Sequence, residues 1–252
     1  MRNRYKSDIV SHRGGTFLWP ENSQEAFKNS LMLDIEQVEC DVHLSADGVP
    51  VVIHDPVLQR TTEAQGQVAA LPAAELGQVR LRGGRGGTIP TLAEVAALFT
   101  ETPMQLQVEV KGTANGHAYP QLLERSLAAL DQARIRSQCR IIAFDAEIAA
   151  SAMKAGGLAG VIWLFEQRLL RAIGADGIIA VAQSYGFDMV ETEIGAFDAE
   201  LCERLRRAKL RLGAWGANHA GTLEKAFNLG LDAVATDDPV LASRLRGQIQ
   251  GS

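Results

Sequence analysis

Two histidines and three carboxylates close short apolar runs in the first 111 residues: Ser11-His12-Arg13-Gly14, Val38-Glu39-Cys40-Asp41-Val42, Val52-Ile53-His54-Asp55 and Val108-Glu109-Val110-Lys111. A β-branched run ending in polar groups reads as a strand that delivers chemistry at its tip. Glu39 and Asp41 are two residues apart, so on a strand both project from one side while Val38, Cys40 and Val42 face the other. The same alternation puts Glu109 and Lys111 on one face. Three carboxylates that converge repel one another unless a cation joins them. An all-oxygen set suits Mg²⁺ or Ca²⁺ and is poor for zinc, which prefers His and Cys; the alternative is neutralisation by nearby arginine and lysine. His12 and His54 each follow a strand, and a histidine pair can serve as general base and general acid because its unperturbed pKa is near operating pH. Of the other histidines, His43 and His117 read as surface or loop residues, and His219, near a strand end, stays open as a pocket-lining group. A metal, two proton-transfer groups and cations such as Arg13 and Lys111 suit hydrolysis of a phosphate ester, where negative charge develops on the equatorial oxygens.

The elements that must position these groups alternate regularly. Short strands are expected near Ile9, Val38, Val51, Val108, Ile141, Ile162, Met189, Gly213 and Val234, with helices from Ser23, after Thr91, over 120–133, 146–155, 175–185, 199–209 and 223–229. Helix and strand repeating in this way is the pattern of βα units with a parallel sheet. The nine strands exceed an eight-stranded barrel by one. Val49 to Ile53 is preceded by the tight turn Ser45-Ala46-Asp47-Gly48 and not by a helix, and parallel neighbours cannot be joined by so short a link. It is therefore read as an antiparallel return on the second strand, which brings His54 to the level of Glu39 and Asp41. The expected fold is one TIM (β/α)8 barrel domain over residues 1–252 with a small irregular insertion after the second strand, over about 56–89, where Pro, Gly and polar residues are dense. Within it, Gly83-Gly84-Arg85-Gly86-Gly87 lacks the Gly-Lys-Ser/Thr ending of a phosphate cradle and reads as a surface loop.

Bulk properties narrow the classes. With 46% hydrophobic and 22% charged residues the 252-residue chain is globular in composition. A net charge of −5 argues against a nucleic-acid partner held through phosphates. No apolar run reaches membrane-spanning length, so no stable membrane insertion is expected, and the charged start leads into only two apolar residues before Ser11, so a cytoplasmic location is expected. The three cysteines, Cys40, Cys139 and Cys202, are far apart and odd in number, as buried thiols in a reducing compartment would be. Phe17-Leu18-Trp19, in a loop, is expected to pack under that loop or line a pocket.

The motifs also carry a family resemblance. His12-Arg13-Gly14, Pro20-Glu21-Asn22-Ser23 followed by Ala26-Phe27, Glu39-Cys40-Asp41-Val42, Asp47-Gly48, Val51-Val52-Ile53-His54-Asp55, Arg60-Thr61-Thr62, Gly66, Glu109-Val110-Lys111 and Thr236-Asp237-Asp238-Pro239 resemble, in this order, the motifs of the glycerophosphodiester phosphodiesterase family, bacterial cytoplasmic type. The resemblance implies Glu39, Asp41 and Glu109 as ligands of one divalent cation, Mg²⁺ or Ca²⁺, with Glu21 joining or orienting that shell. It implies His12 and His54 as the acid/base pair and Arg13 and Lys111 as phosphate contacts. The implied reaction is cleavage of a small-molecule glycerophosphodiester to glycerol 3-phosphate and an alcohol, with attack by the neighbouring glycerol hydroxyl favoured over direct water attack. Phe144 and Trp215 are candidates for the substrate pocket, with Phe17, Trp19 and Trp163 behind them. Against the family pattern, Ser23 replaces a usual Thr, Ala143-Phe144 a usual Ser-Phe, and Gly216-Ala217 a more polar pair, which bears on the alcohol end of the substrate. The competing readings are a lysophospholipase D, which would need an apolar groove, and a phosphate-binding barrel without turnover, for which two histidines would be superfluous. The oligomeric state is left open, a homodimer included.

Overall fold

Eight parallel strands close on themselves in the computed structural model, which describes residues 6–84 and 87–251. Residues 1–5 of the charged start, and Arg85 and Gly86 of the glycine-rich loop, lie outside the described residues. The ring runs β1 (Asp8–Ser11), β2 (Gln37–Leu44), β4 (Gln105–Val110), β5 (Cys139–Ala143), β6 (Gly160–Leu164), β7 (Met189–Glu193), β8 (Arg211–Trp215) and β9 (Ala233–Thr236), and β9 pairs back on β1. This is a TIM barrel. The ninth strand, β3 (Pro50–Val52), lies antiparallel on β2 with Val42 opposite Val52 and His43 opposite Val51, outside the ring. The hairpin return read from the Asp-Gly turn therefore stands, and the Ile53 N–H donates to the Asp41 carbonyl at 3.1 Å, which sets His54 beside the end of β2.

The helices are α1 (Gln24–Ser30), α2 (Ala73–Leu76), α3 (Leu92–Leu98), α4 (Leu122–Gln132), α5 (Ala146–Ala155), α6 (Gln167–Tyr185), α7 (Ala199–Arg207), α8 (Ala220–Asn228) and α9 (Pro239–Gln250). Several begin on a side-chain cap: Ser23 accepts from the Ala26 N–H, Asp145 from Glu147 and Ile148, Asp198 from Leu201, Asp238 from Leu241, and Thr91 forms a reciprocal capping box with Glu94. Outward residues such as Val38, Cys40, Val108, Ile141, Val190 and Val234 bury against these helices. The lumen divides in two. Val10, Ile142, Ile162, Leu164, Met189, Ala233 and Ala235 make a dry half, whereas β2 and β4 turn Gln37, Glu39, Asp41, His43, Gln107 and Glu109 inward and bury all of them.

Three elements differ from the sequence reading. The helix expected over 175–185 is the second half of α6, whose first half starts at Gln167 and joins it through a break at Gly174 (φ 67, ψ 176). The helix α9 was not anticipated; Asp238 caps it, Pro239 fills the first turn where a missing N–H is harmless, and Ala242 and Leu245 join the core. The stretch over 56–89 is irregular as expected, yet it has a core of its own, Val51, Ile53, Leu58, Val68, Leu76, Leu81 and Ile89. Among the described residues no helix is long and apolar enough to cross a membrane.

Candidate active site

The His12-Arg13-Gly14 turn at the end of β1 explains itself sterically. Arg13 adopts a left-handed conformation (φ 51), which aims its N–H at Glu39 Oε2, 2.9 Å away, and curls its guanidinium back to Asp41 Oδ2 (3.3 Å) and Glu21 Oε1 (3.2 Å). Gly14 follows at φ 81, and a Cβ there would stand 2.6 Å from Ala26 Cβ in the first turn of α1, so glycine is needed for both conformation and space. Asn22, also left-handed (φ 56) and buried, donates to Asp41 Oδ2 at 2.8 Å, and its own N–H donates to the Arg13 carbonyl at 2.9 Å. Asn tolerates this region better than most residues, which is why it stands between Glu21 and the helix cap.

Glu39, Asp41 and Glu109 converge as their strand phase requires: Asp41 and Glu109 are register partners on β2 and β4, and one oxygen from each of the three lies within 4.8 Å of the others. Lys111 reaches Glu109 Oε1 at 2.6 Å and Asp41 Oδ1 at 2.9 Å. Burial alone would raise Asp41, but Lys111 and Arg13 outweigh it and hold the carboxyl well below the usual range. Glu39 goes the other way, pushed well up by burial and by Asp41 and Glu109. Its Oε1 is buried and has no hydrogen-bond partner. An orphaned oxygen in an all-carboxylate cluster fits a hard divalent cation. Glu21 lies outside this group; its oxygens accept from Arg60 at 2.7 and 2.8 Å as well as from Arg13.

Each histidine stands on an aspartate. His12 Nδ1 is 2.7 Å from Asp237 Oδ1, and Asn218 fixes Asp237 from behind, donating Nδ2 to Oδ2 at 2.5 Å and accepting the Asp237 N–H at 2.9 Å. His54 Nδ1 is 2.6 Å from Asp55 Oδ1, and Arg60 holds both Asp55 oxygens. Against the upward push of burial, Arg60 and His54 take Asp55 down to about 2. A carboxylate on Nδ1 keeps the proton there and leaves Nε2 as the free position; His12 Nε2 is 4.0 Å from Glu39 Oε2. Burial, ahead of the charges around it, lowers the His54 pKa and favours its uncharged form.

A cavity of about 140 Å³ inside the barrel mouth touches His12, Glu39, His54, Glu109, Glu191 and Trp215. A wider one of about 310 Å³ continues outward past His54, Lys111, Phe144 and Ile148. Phe144 and Trp215 meet edge to face, ring centroids 5.5 Å apart, at the boundary. Trp163 does not line either cavity: it is buried on the helix side and donates Nε1 to the Phe144 carbonyl at 3.2 Å. Trp19 borders a separate cleft with Glu21 and Arg60. Phe17 and Leu18, expected to pack under the loop or line a pocket, are 55% and 39% exposed and border none of these cavities, and Phe17 rests on the exposed His219.

His43 needs the clearest correction. It is not a surface residue but is 1% exposed, in phase with Glu39 and Asp41 on β2, with Nδ1 on the Tyr119 hydroxyl (3.1 Å) and Nε2 on the His54 carbonyl (2.9 Å). Burial lowers its pKa to about 4, so it is neutral and Nε2 donates. His117 is exposed as expected. The sequence reading did not single out Asn22, Asn218 and Asp237 as site residues. Asn22 and Asp237 lay inside motifs it quoted, and what it lacked was the pairing across the chain.

Residues 12–241 match the profile of the Glycerophosphoryl diester phosphodiesterase family. The chain is 26% identical to a glycerophosphodiester phosphodiesterase from Caldanaerobacter subterraneus over 247 residues, 93% of this chain and 95% of that protein. Its fold is similar to the crystal structure of a candidate glycerophosphoryl diester phosphodiesterase from Agrobacterium tumefaciens, with a TM-score of 0.95 at 28% identity over 98% of this chain and 100% of the other. A phosphodiesterase from Oleispira antarctica, solved in complex with the product sn-glycerol-3-phosphate, superposes with a TM-score of 0.78 at 25% identity over 94% and 96% of the two chains. With a profile match over nearly its whole length, the chain belongs to the glycerophosphoryl diester phosphodiesterase family.

Proposed function

We propose that the protein hydrolyses glycerophosphodiesters, the deacylated headgroup esters such as glycerophosphocholine, to glycerol 3-phosphate and an alcohol. The observation that carries this is the pair of His–Asp couples flanking three carboxylates of which one oxygen is unpartnered. With all three carboxylates ionised, as ligands of a cation would be, Arg13 and Lys111 leave the cluster one negative charge in excess, the wrong sign for a phosphodiester anion. A divalent cation, Mg²⁺ or Ca²⁺, held by Glu39, Asp41 and Glu109 supplies the missing positive charge and polarises the phosphoryl oxygens when bound. The chain's own groups do the rest. Arg13 and Lys111 meet the phosphoryl oxygens as negative charge builds on them. His54, kept uncharged by burial, takes the proton of the attacking hydroxyl at Nε2, while Asp55 steadies the imidazolium that forms. His12, whose Nδ1–H Asp237 holds, acts in its doubly protonated form and hands the Nε2 proton to the departing alcohol oxygen; water then opens the cyclic phosphate to glycerol 3-phosphate with the two histidines in exchanged roles. His43 pins the His54 carbonyl and keeps that ring in place. Each proton transfer contributes roughly 10²- to 10⁴-fold.

The test is glycerol 3-phosphate release from glycerophosphocholine with and without a chelator, in wild type, His12→Ala and His54→Ala. Each variant is expected to lose at least about 100-fold in kcat, and chelation to abolish turnover until Mg²⁺ or Ca²⁺ is restored. Wild-type turnover in both variants would overturn the assignment.

A further inference from the structure

One ionisable group in the inner cavity has no task in the chemistry above. Glu191, on β7, is 3% exposed, and its Oε2 is buried with no hydrogen-bond partner. The same cavity is lined on its dry side by Ile142, Leu164, Ala235 and the ring of Trp215. A carboxyl placed there without a partner is a standing cost to folding. The neighbouring strand nevertheless makes room for it. Gly213 on β8 is the register partner of Glu191, and a Cβ at 213 would stand 2.6 Å from Glu191 Oε2. Gly213 is not among the glycines with positive φ, so it is there for space and not for its backbone.

We propose that Glu191 is the specificity-determining residue that reads a hydroxyl of the three-carbon polyol on the substrate, the group that completes its hydrogen bonding when the inner cavity fills. The assignment rests on the phosphodiesterase reading for the identity of the polyol. Glu191 is not part of the carboxylate cluster whose oxygens converge. The nearby cations are committed elsewhere, Arg13 to Asp41 and Glu21, Lys111 to Asp41 and Glu109. What is left to meet the free oxygen is a guest in the cavity. Size divides the guest: about 140 Å³ inside suits a glycerol unit, and the outer cavity of about 310 Å³, beyond Phe144, takes the second alcohol. Burial first, and then the nearby Glu109, push Glu191 up to about 8. As an acid at neutral pH it both donates and accepts, which matches a hydroxyl and not an ammonium group.

The experiment is calorimetric binding of glycerol 3-phosphate, propyl phosphate and inorganic phosphate to the Mg²⁺-loaded protein, with thermal melts confirming that each variant is folded. Glu191→Leu is expected to weaken glycerol 3-phosphate by about 5- to 10-fold while propyl phosphate and inorganic phosphate stay within about twofold. Gly213→Ala, which displaces the carboxyl from the neighbouring strand, is expected to reproduce that pattern, and Glu191→Gln, which keeps a donor and an acceptor, to bind within about threefold of wild type. Since Gly213→Ala and Glu191→Gln test the same contact, the outcome does not hang on Glu191→Leu folding. Unchanged glycerol 3-phosphate affinity in Glu191→Leu or Gly213→Ala, equal losses for all three ligands, or a wild type that does not bind glycerol 3-phosphate overturns the assignment. If the selective loss is seen but wild type does not cleave glycerophosphocholine, the hydrolytic reading falls and the polyol contact stands.

Discussion

Replacing Asp237 by Asn changes one atom type and forces a choice the site cannot make well. The Asp237 carboxylate accepts from His12 Nδ1 at 2.7 Å and from Asn218 Nδ2 at 2.5 Å, with a further hydrogen bond from Thr16. An asparagine there has one acceptor. If its oxygen faces Asn218, its NH₂ faces His12 Nδ1, which must then become the acceptor and move the ring proton to Nε2, next to Glu39. If its oxygen faces His12, two NH₂ groups collide at Asn218, and Asn218 cannot flip without surrendering the Asp237 N–H that its Oδ1 holds at 2.9 Å. Either way one hydrogen bond to a charged group is lost, worth about 1.5 to 3 kcal/mol, which converts to roughly 10- to 150-fold in kcat at 1.4 kcal/mol per decade. The assay is glycerol 3-phosphate release under saturating substrate, with the His12 ring tautomer followed by ¹⁵N NMR. A kcat within twofold of wild type refutes the reasoning; in a slow variant, a His12 ring proton moved to Nε2 marks the first arrangement and one kept on Nδ1 the second. The fold should survive, because Asp238, and not Asp237, caps α9.

Arg60→Ala releases Asp55 toward the ordinary carboxylate range. A folded pKa of about 2 lies below the unfolded value of about 3.9, so the stabilisation is present above pH 4 and is lost as the pH falls through 2. With Arg60 46% exposed, its contribution to stability should be under about 1 kcal/mol; a urea titration at pH 7 and pH 3 checks this, and a larger loss at pH 3 than at pH 7 contradicts the sign. Gly14→Ala should cost about 2 to 5 kcal/mol, from left-handed strain together with overpacking against Ala26, read from the urea midpoint; a loss below about 1 kcal/mol would mean the turn can shift.

Period-two alternation carried the sequence reading a long way. It placed Glu39, Asp41 and Glu109 on one side of their strands, and the Asp-Gly turn alone distinguished β3 from a barrel strand. The same alternation puts His43 two residues after Asp41 and Glu191 two after Met189, so both lumen positions were implied by phase and obscured by residue type, since His and Glu usually face water. Asp237 was out of reach for a different reason. Its partner is 225 residues away, and neither periodicity nor a local turn signal reports a contact of that span. The helix α9 carried its cap and its proline in plain sight, yet Arg244 and Arg246 interrupt the apolar spacing, and Arg246 is buried there because the Glu36 carboxylate and the Ser7 and Asp34 carbonyls accept its hydrogen bonds.

The span of that one contact has a consequence for how the protein comes to be. His12 belongs to the first strand and Asp237 to the residue just past the last, so their couple lies on the seam where the ring is zipped shut by β1 and β9. The other couple, His54 with Asp55, is local in sequence and is supported by the small core of the inserted segment. A ribosome-bound chain can therefore assemble one half of the proposed acid–base pair early and must wait for the other until residue 237 has emerged, because a contact of such sequence separation carries the full cost of loop closure before it is rewarded. On the proposed mechanism hydrolysis thus reports on completion, since a chain that has not yet added β9 and residue 237 lacks the carboxylate that holds His12.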